Sequence, residues 1–169
     1  MARPVSDTAR IGHGYDLHRL EPGLPLIVCG ERLEHDRGCA AHSDGDVVYH
    51  AVVDAILGAL GGPDIGQLFD NADPRWKGAD SSVFMAEAVK RLDDAEWAIG
   101  NLDVTVILER PKLGPHKGAM RANLVKLLRT PVGRVNLKAK TNEGVDAVGE
   151  GRAIACHAVV VLQRLRERD

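Results

Sequence analysis

The spacing of apolar residues changes several times along the chain, and each change marks a different predicted element. Six segments alternate apolar with polar residues or form short apolar runs rich in β-branched side chains, which is typical of strands. These predicted strands are residues 9–18, 25–30, 31–41, 101–109, 134–140 and 153–163. Elsewhere apolar residues return every three or four positions, which predicts helices. The predicted helices lie within residues 43–62, 81–93 and 115–129.

The first predicted helix has the clearest pattern. Its apolar residues are Val47, Val48, Ala51, Val52, Ala55, Ile56 and Ala59. Ser43 or Asp44 is predicted to cap its start, because both side chains can accept hydrogen bonds from free backbone N–H groups. Gly61 is predicted to end it, because glycine readily adopts the left-handed conformation that follows many helices.

The order of the predicted elements, βββ-α-loop-α-β-α-β-β, indicates an α+β fold with a mixed β-sheet covered by helices. The last strand, residues 153–163, is apolar on both faces, so helices or other subunits are expected to cover it. A length of 169 residues suits one domain, and we predict a single two-layer domain over residues 1–169. Residues 1–9 are predicted to be a short flexible tail without the apolar core of a signal peptide.

Residues 63–80 follow neither the helical nor the strand period and are interrupted by glycine and proline. A segment of this length without regular structure is usually a functional loop when it lies inside a compact domain. We therefore predict a functional loop here.

Composition narrows the classes of function. The 44% apolar and 27% charged residues are typical of a soluble globular protein, and no apolar run approaches the ~18 residues of a membrane span. A net charge of −2, with only two residues each of Trp, Tyr and Phe, argues against binding a nucleic acid polymer. The three cysteines form no close pair, which argues against a disulfide framework and favours a cytoplasmic location.

Asp16 and His18 are candidate metal ligands. They lie two positions apart in the first predicted strand, so their side chains lie on one face. With His50 on the first helix they would supply one oxygen and two nitrogen ligands, a set that suits zinc with one position open. A plain surface hydrogen bond and a structural histidine remain the alternatives. Asp46 and Asp54 lie four residues either side of His50, and either could orient it by a hydrogen bond.

Other polar residues are candidates for binding an anion or a nucleotide. His42 and Ser43 precede the first helix, where free backbone amides can meet an anion, although Ser43 could simply cap the helix. Asp64 beside Gly66 could bind a ribose diol, although an ordinary turn explains the same residues.

Two further segments each follow a predicted strand and could lie at one edge of the sheet. Lys112 offers a point charge for phosphate, Thr141 a hydroxyl, and Glu143 an oxygen ligand for magnesium. Taken singly, residues such as Lys112 and Glu143 are more often solvated surface charges.

Six motifs occur in series from Arg10 to Leu162: GHGYDLHRL, AHSDGDVVYHA, DIGQLF, DPRWKGADS, RPKLGPH and KAKTNEG with its AIAC continuation. In these motifs and their order the chain resembles the 2-C-methyl-D-erythritol 2,4-cyclodiphosphate synthase family. The resemblance implies a phosphorus–oxygen lyase of the methylerythritol phosphate pathway to isoprenoids. Its reaction would convert 4-diphosphocytidyl-2-C-methyl-D-erythritol 2-phosphate to 2-C-methyl-D-erythritol 2,4-cyclodiphosphate and CMP. It also implies a homotrimer around a central β-lined core, with active sites between subunits and no membrane partner.

The resemblance also implies roles for individual residues. Zinc, one ion per subunit, is assigned to Asp16, His18 and His50, and magnesium or manganese, bound with the substrate, to Glu143. His42 and Thr141 are implied to be catalytic, and a cytosine pocket is expected to be made largely of backbone. The implied substrate-binding residues are Asp16, His18, His42, Ser43, Asp64, Ile65, Gly66, Phe69, Asp70, Asn71, Ala72, Asp73, Leu108, Lys112, Leu113, Gly114, Ala139, Lys140, Thr141, Asn142 and Glu143.

The sequence departs from the family pattern at several positions. Asn71 stands where the loop often has Asp, and Lys140 stands where Thr is common, so phosphate and ribitol contacts are expected to differ locally. Residues 149–153, GEGRA, reverse the charge order GRGEG, and His157 replaces a frequent Glu. These last positions are attributed to the channel of the trimer, so the resemblance does not extend to isoprenoid binding there.

Overall fold

The computed structural model describes residues 8–70 and 72–165. Residues 1–7, most of the predicted tail, lie outside the described residues, as does Asn71. Ala9 is already the first residue of a strand.

A five-stranded mixed sheet forms one layer of the protein, in the order β4-β1-β7-β5-β6. Neighbouring strands are antiparallel except β5 and β6, which are parallel. The strands are β1 (Ala9–Pro22), β2 (Leu26–Val28), β3 (Glu31–Leu33), β4 (Arg37–Ala40), β5 (Trp97–Ile107), β6 (Val135–Lys140) and β7 (Ala153–Arg164). The predicted mixed sheet is therefore confirmed.

The helices are α1 (Val47–Leu60), α2 (Ile65–Leu68), α3 (Ser82–Asp94), α4 (Lys117–Leu127) and α5 (Asp146–Gly149). Three short 3₁₀ turns span Pro74–Trp76, Gly114–His116 and Val132–Arg134. Helices α1, α3 and α4 cover one face of the sheet, which gives the α+β arrangement that the element order predicts. No helix within the described ranges combines the length and apolar character needed to cross a bilayer.

The predicted strand at 31–41 divides into two pieces in the structure. β3 pairs with β2 as a separate two-stranded sheet, and β4 pairs with β1 in the main sheet. Cys29 (φ 55°) and Gly30 (φ 76°) form the tight turn between β2 and β3. Two consecutive positive φ angles are typical of the two-residue hairpin turn whose backbone twist matches that of the flanking strands. This turn lets β2 and β3 pair directly with each other.

Helix α1 lies unusually close to β1 because two glycines face it. A Cβ atom on Gly12 would lie 1.8 Å from the carbonyl oxygen of Ala55, and one on Gly14 would lie 1.8 Å from that of Ala51. Asp16 and His18 continue the same strand face by alternation. The close packing of helix on strand therefore brings this face to His50, the residue before Ala51 on α1.

The start of α1 differs from the prediction. Its N-cap is Asp46 rather than Ser43 or Asp44, and the Asp46 carboxylate accepts hydrogen bonds from the backbone N–H groups of Val48 and Tyr49. The same fully buried carboxylate accepts from Cys29 and Gly30 in the hairpin turn. Asp46 is therefore held as the N-cap by the additional hydrogen bonds from the hairpin turn. The predicted end is confirmed, because Gly61 is the C-cap at φ 74°.

The loop predicted at 63–80 holds two short helical pieces, α2 and the 3₁₀ turn Pro74–Trp76. Both are too short to show a hydrophobic period. Residues between them remain irregular over the described positions, as predicted.

The second face of the sheet carries apolar side chains that no helix within residues 8–70 and 72–165 covers. Ile11 is 74% exposed, and Tyr15, Leu17 and Val159 are also exposed. His157 lies on this face half-buried, with its Nδ1 3.1 Å from Nε2 of His13, because alternation along β7 turns it away from the helices.

Candidate active site

Asp16, His18 and His50 meet where β1 and α1 pack together. Oδ2 of Asp16 lies 3.0 Å from Nε2 of His18 and 3.0 Å from Nδ1 of His50. The two histidine nitrogens are 3.1 Å apart. The three ligand atoms thus form a nearly equilateral triangle, and these residues are the group that could hold a metal ion within the described part of the chain.

The dimensions of this triangle suit zinc. Tetrahedral bonds of about 2.0–2.1 Å place neighbouring ligand atoms roughly 3.3 Å apart, close to the separations above. Burial raises the pKa of Asp16, but hydrogen bonds from His18 and His50 outweigh burial and lower that pKa well below its usual value. Asp16 therefore remains an anion, the form that a metal ion requires.

The groups that orient His50 differ from those expected. Asp46 is occupied as the helix cap, and Oδ1 of Asp54 accepts from the backbone N–H of Ile65 at 2.7 Å. Instead, Nε2 of His50 lies 2.9 Å from the hydroxyl of Ser81 and 3.2 Å from that of Ser43. The prediction that Asp46 or Asp54 orients His50 is wrong, because both carboxylates accept hydrogen bonds from backbone N–H groups instead.

The triangle opens into a cavity of about 410 Å³. Its lining includes five further residues implied by the motifs: His42, Ser43, Ile65, Gly66 and Phe69. Trp76 and Phe84, which sequence analysis did not select, pack against Phe69 with ring centroids 5.2 and 4.5 Å away and complete the wall. Trp76 lies in the motif DPRWKGADS and Phe84 in the predicted helix 81–93, and neither pattern indicates a place in a cavity wall. A cavity of this size suits a small ligand rather than a polymer.

The other implied loop residues that the structure describes do not line this cavity. Asp64 is exposed and caps α2, where its Oδ1 accepts from the N–H of Gln67 at 2.8 Å. Asp70 and Ala72 are also exposed, and Oδ1 of Asp73 accepts from the N–H of Arg75 at 2.9 Å. Nε2 of His42 lies 3.3 Å from the carbonyl oxygen of Asp73, which connects the cavity wall to the loop.

A second cavity, of about 690 Å³, gathers the other implied residues. Its implied lining residues are Leu108, Lys112, Leu113, Gly114, Ala139, Lys140, Thr141 and Glu143. Lys117, at the start of α4, also lines it and was not anticipated, because a lysine at a helix start resembles an ordinary surface residue. The hydroxyl of Thr141 donates to Oε1 of Glu143 at 2.8 Å. Asn142 is not among the lining residues; its N–H donates to Glu109.

The two cavities share no lining residue, but both lie towards the same end of the sheet. Asp16 pairs with Cys156, Cys156 with Val106, and Val106 with Ala139. Three strand spacings separate the first and last residues of this row, or about 14 Å. The motif residues therefore divide between a metal-binding candidate and a basic cavity within one chain.

Comparisons with known proteins agree on one family. The model of the YgbB family matches residues 9–163. The chloroplastic 2-C-methyl-D-erythritol 2,4-cyclodiphosphate synthase of Oryza sativa is 62% identical over 162 residues, which cover 96% of this chain and 73% of that protein. The synthase of Idiomarina loihiensis is 48% identical over 154 residues, covering 91% and 97%.

A solved structure of a 2-C-methyl-D-erythritol 2,4-cyclodiphosphate synthase in its CDP-bound form superimposes with a TM-score of 0.84 at 44% identity. The match covers 91% of this chain and 100% of that one. The resemblance inferred from the motifs is confirmed, and the chain belongs to the YgbB family of 2-C-methyl-D-erythritol 2,4-cyclodiphosphate synthases.

Proposed function

We propose that the protein converts 4-diphosphocytidyl-2-C-methyl-D-erythritol 2-phosphate to 2-C-methyl-D-erythritol 2,4-cyclodiphosphate and CMP. The observation that carries the proposal is the triangle of Asp16, His18 and His50 opening into a cavity, in a chain 62% identical to a protein named for this reaction. In this reaction an oxygen of the 2-phosphate bonds to the β-phosphorus. The bond from that phosphorus to the bridging oxygen breaks, and CMP leaves with the electron pair.

The reaction depends on the alignment of the two phosphate groups of the substrate and needs no strong base. A phosphate is already an anionic nucleophile near neutral pH, so the difficulty is to bring two anions together in a ring-closing geometry. Holding reacting groups in place can lower a barrier by several kcal/mol, up to about 7–11 in model systems. The cavity beside the triangle is walled by Phe69, Trp76 and Phe84, which limits the room for the folded substrate and for water.

The donor set fits zinc, which we assign to Asp16, His18 and His50. A zinc ion held there would neutralise phosphate charge and align the diphosphate. His42 and Ser43, beside the triangle, are assigned to the phosphate and the methylerythritol unit. His42, which lines the cavity, is further assigned to stabilising the transition state, as the family resemblance implies.

The second cavity is assigned to the cytidine end of the substrate. Lys112 and Lys140 place positive charge there, and Thr141 offers a hydroxyl to phosphate. Glu143 is exposed, and its carboxylate, which also accepts from Thr141, is assigned to hold magnesium or manganese when the substrate brings its phosphates. The CDP-bound relative supports a cytidine nucleotide as the ligand class.

We infer a homotrimer in which the metal cavity of one subunit faces the cytidine cavity of the next. Two cavities that share no lining residue within one subunit support this, as one substrate would then draw on both. The uncovered apolar side chains Ile11, Tyr15, Leu17 and Val159 support it too, because exposed apolar patches mark interfaces. Sedimentation equilibrium should give three times the chain mass; a monomer mass would contradict the assembly.

The enzyme class that follows is a phosphorus–oxygen lyase that closes a ring. A cytoplasmic location stays a prediction from composition, supported by cysteines that are free and buried in the structure.

The test of the metal assignment is His18→Ala, with His35→Ala as a matched histidine control on the loop between β3 and β4. His18→Ala should lose zinc and CMP release while keeping its helical circular dichroism, whereas His35→Ala should keep all three. Full activity in a zinc-free His18→Ala protein would contradict the proposal. Release of inorganic phosphate without a cyclic product would indicate a zinc phosphoesterase instead.

A further inference from the structure

The nitrogen of His50 that faces away from the ligand triangle has a specific partner. Its Nε2 lies 2.9 Å from Oγ of Ser81, and Ser81 is fully buried. Ser81 occupies the N-cap position of α3, yet its side chain makes no hydrogen bond to that helix. Its hydroxyl instead donates to Oδ1 of Asp44. Three polar groups therefore form a chain from Asp44 through Ser81 to His50.

The number of available protons fixes which group donates in each of these hydrogen bonds. A carboxylate oxygen only accepts, so the single hydroxyl proton of Ser81 is directed to Asp44. Oγ of Ser81 can then only accept from His50, which places a proton on Nε2 of the ring. With Nε2 engaged by Ser81, Nδ1 is the ring nitrogen left to bond a metal ion, and in the metal-free site it is the atom that lies 3.0 Å from Asp16.

We propose that Asp44 and Ser81 are positioning residues that fix the tautomer and ring orientation of His50, so that Nδ1 presents its lone pair to the metal. The inference rests on the proposed metal site but adds two residues that are not ligands. Hydrogen bonds of this kind commonly orient metal-binding histidines and raise their basicity.

Backbone hydrogen bonds fix the positions of Asp44 and Ser81. Oδ2 of Asp44 accepts from the N–H of Ser81 at 3.1 Å, and the N–H of Asp44 donates to the carbonyl oxygen of Ala79 at 3.0 Å. Oδ1 of Asp44 also accepts from the N–H of Asp46. The segment before α1 is thereby tied to the segment before α3, and neither end can shift alone.

Ser43 is the alternative partner for Nε2 of His50. Its Oγ is farther away, at 3.2 Å, and lies 3.5 Å from Oγ of Ser81. It also accepts from the N–H of Gly45 at 3.3 Å and lines the cavity. The shorter contact and complete burial favour Ser81 as the group that holds the ring.

The first test compares zinc affinity by chelator competition in the full-length protein for wild type, Ser81→Ala, Asp44→Asn and Ser82→Ala. Ser82 is the adjacent serine on α3 and is not among the residues that line the cavity, so it is the matched control. Ser81→Ala and Asp44→Asn should each weaken zinc binding about 10- to 100-fold. Ser82→Ala should bind as wild type does.

The second test reads the proton directly by ¹⁵N-correlated NMR of histidine rings in the zinc-loaded protein. His50 should show a slowly exchanging proton on Nε2 in wild type, and Ser81→Ala should lose that slow exchange. This readout does not depend on turnover, and a merely structural role for Ser81 would not move it.

Equal zinc affinity in Ser81→Ala and wild type would overturn the positioning role while leaving the metal site intact. A larger loss in Ser43→Ala than in Ser81→Ala would overturn it in favour of Ser43. If wild type bound no zinc, the metal site and the positioning role would fall together, whatever the protein catalyses.

Discussion

Replacing Gly14 with alanine should damage the metal site from a distance. The added Cβ would lie 1.8 Å from the carbonyl oxygen of Ala51 and 2.8 Å from the nitrogen of Ala55, both backbone atoms of α1. Ordinary contact needs about 3.5 Å, so α1 and β1 must separate by roughly 1.5 Å. Overpacking of this kind typically costs about 1–3 kcal/mol of folding free energy.

The consequence for the ligand triangle follows from its construction. His50 is carried by α1, whereas Asp16 and His18 are carried by β1, and their ligand atoms lie 3.0–3.1 Å apart. Zinc bond lengths tolerate only about ±0.2 Å. A separation of the two elements should therefore lower zinc affinity by at least about tenfold, in addition to lowering stability.

The assay is zinc affinity by chelator competition, with urea unfolding of the same samples. Gly58→Ala is the matched control, because Gly58 is exposed on the same helix and a Cβ there meets nothing within 4 Å. That control should be neutral or stabilising by about 0.5–1 kcal/mol. Wild-type zinc affinity in a folded Gly14→Ala protein would show that the distance between α1 and β1 does not set the geometry of the metal site.

Three further predictions concern other parts of the molecule. Asp64→Asn should weaken CDP binding by about 1.5–3 kcal/mol, because a charge-assisted hydrogen bond to ribose is lost. Helix α2 should stay folded, because Asn is also a good N-cap residue. An unchanged dissociation constant in calorimetry would count against the ribose role. Burial raises the pKa of Cys39 to about 12, so this thiol should react with a thiol reagent only after unfolding, and rapid labelling of native protein would contradict its placement. The hydrogen bond from Lys138, opposed by burial, lowers the pKa of Asp103, so their pair stabilises the fold above about pH 4 and loses that effect as the pH falls through the lowered pKa. Lys138→Met should accordingly reduce the free energy of unfolding by about 0.2–1 kcal/mol at pH 7 and by less below pH 4, and a gap independent of pH would exclude this pair as its source.

Local sequence patterns predicted the helices and strands that are long enough to repeat their apolar spacing several times. The apolar spacing in α1 and the glycine at its end correspond to the observed helix and to its C-cap at Gly61. The alternation in β1 likewise places Asp16 and His18 on one face. These features depend on neighbours within a few residues, which is the range that a sequence pattern describes.

The errors arise where distant segments decide the outcome. Three polar residues precede α1, and Asp46 becomes the cap because the turn at Cys29 and Gly30 donates two further N–H groups to it. Ser81 resembles an ordinary helix cap in the sequence, but its partner Asp44 comes 37 residues earlier. The short helices α2 and α5 contain four residues each, too few to show a period.

Phosphorus NMR of the metal-replete protein with 4-diphosphocytidyl-2-C-methyl-D-erythritol 2-phosphate and magnesium would follow the proposed ring closure itself. We expect signals of CMP and a cyclic diphosphate that vanish when zinc is removed and return when zinc is restored. Unchanged substrate in the presence of folded, zinc-loaded protein would contradict the proposed reaction, and tight CDP binding by the same sample would then point to a nucleotide-binding module.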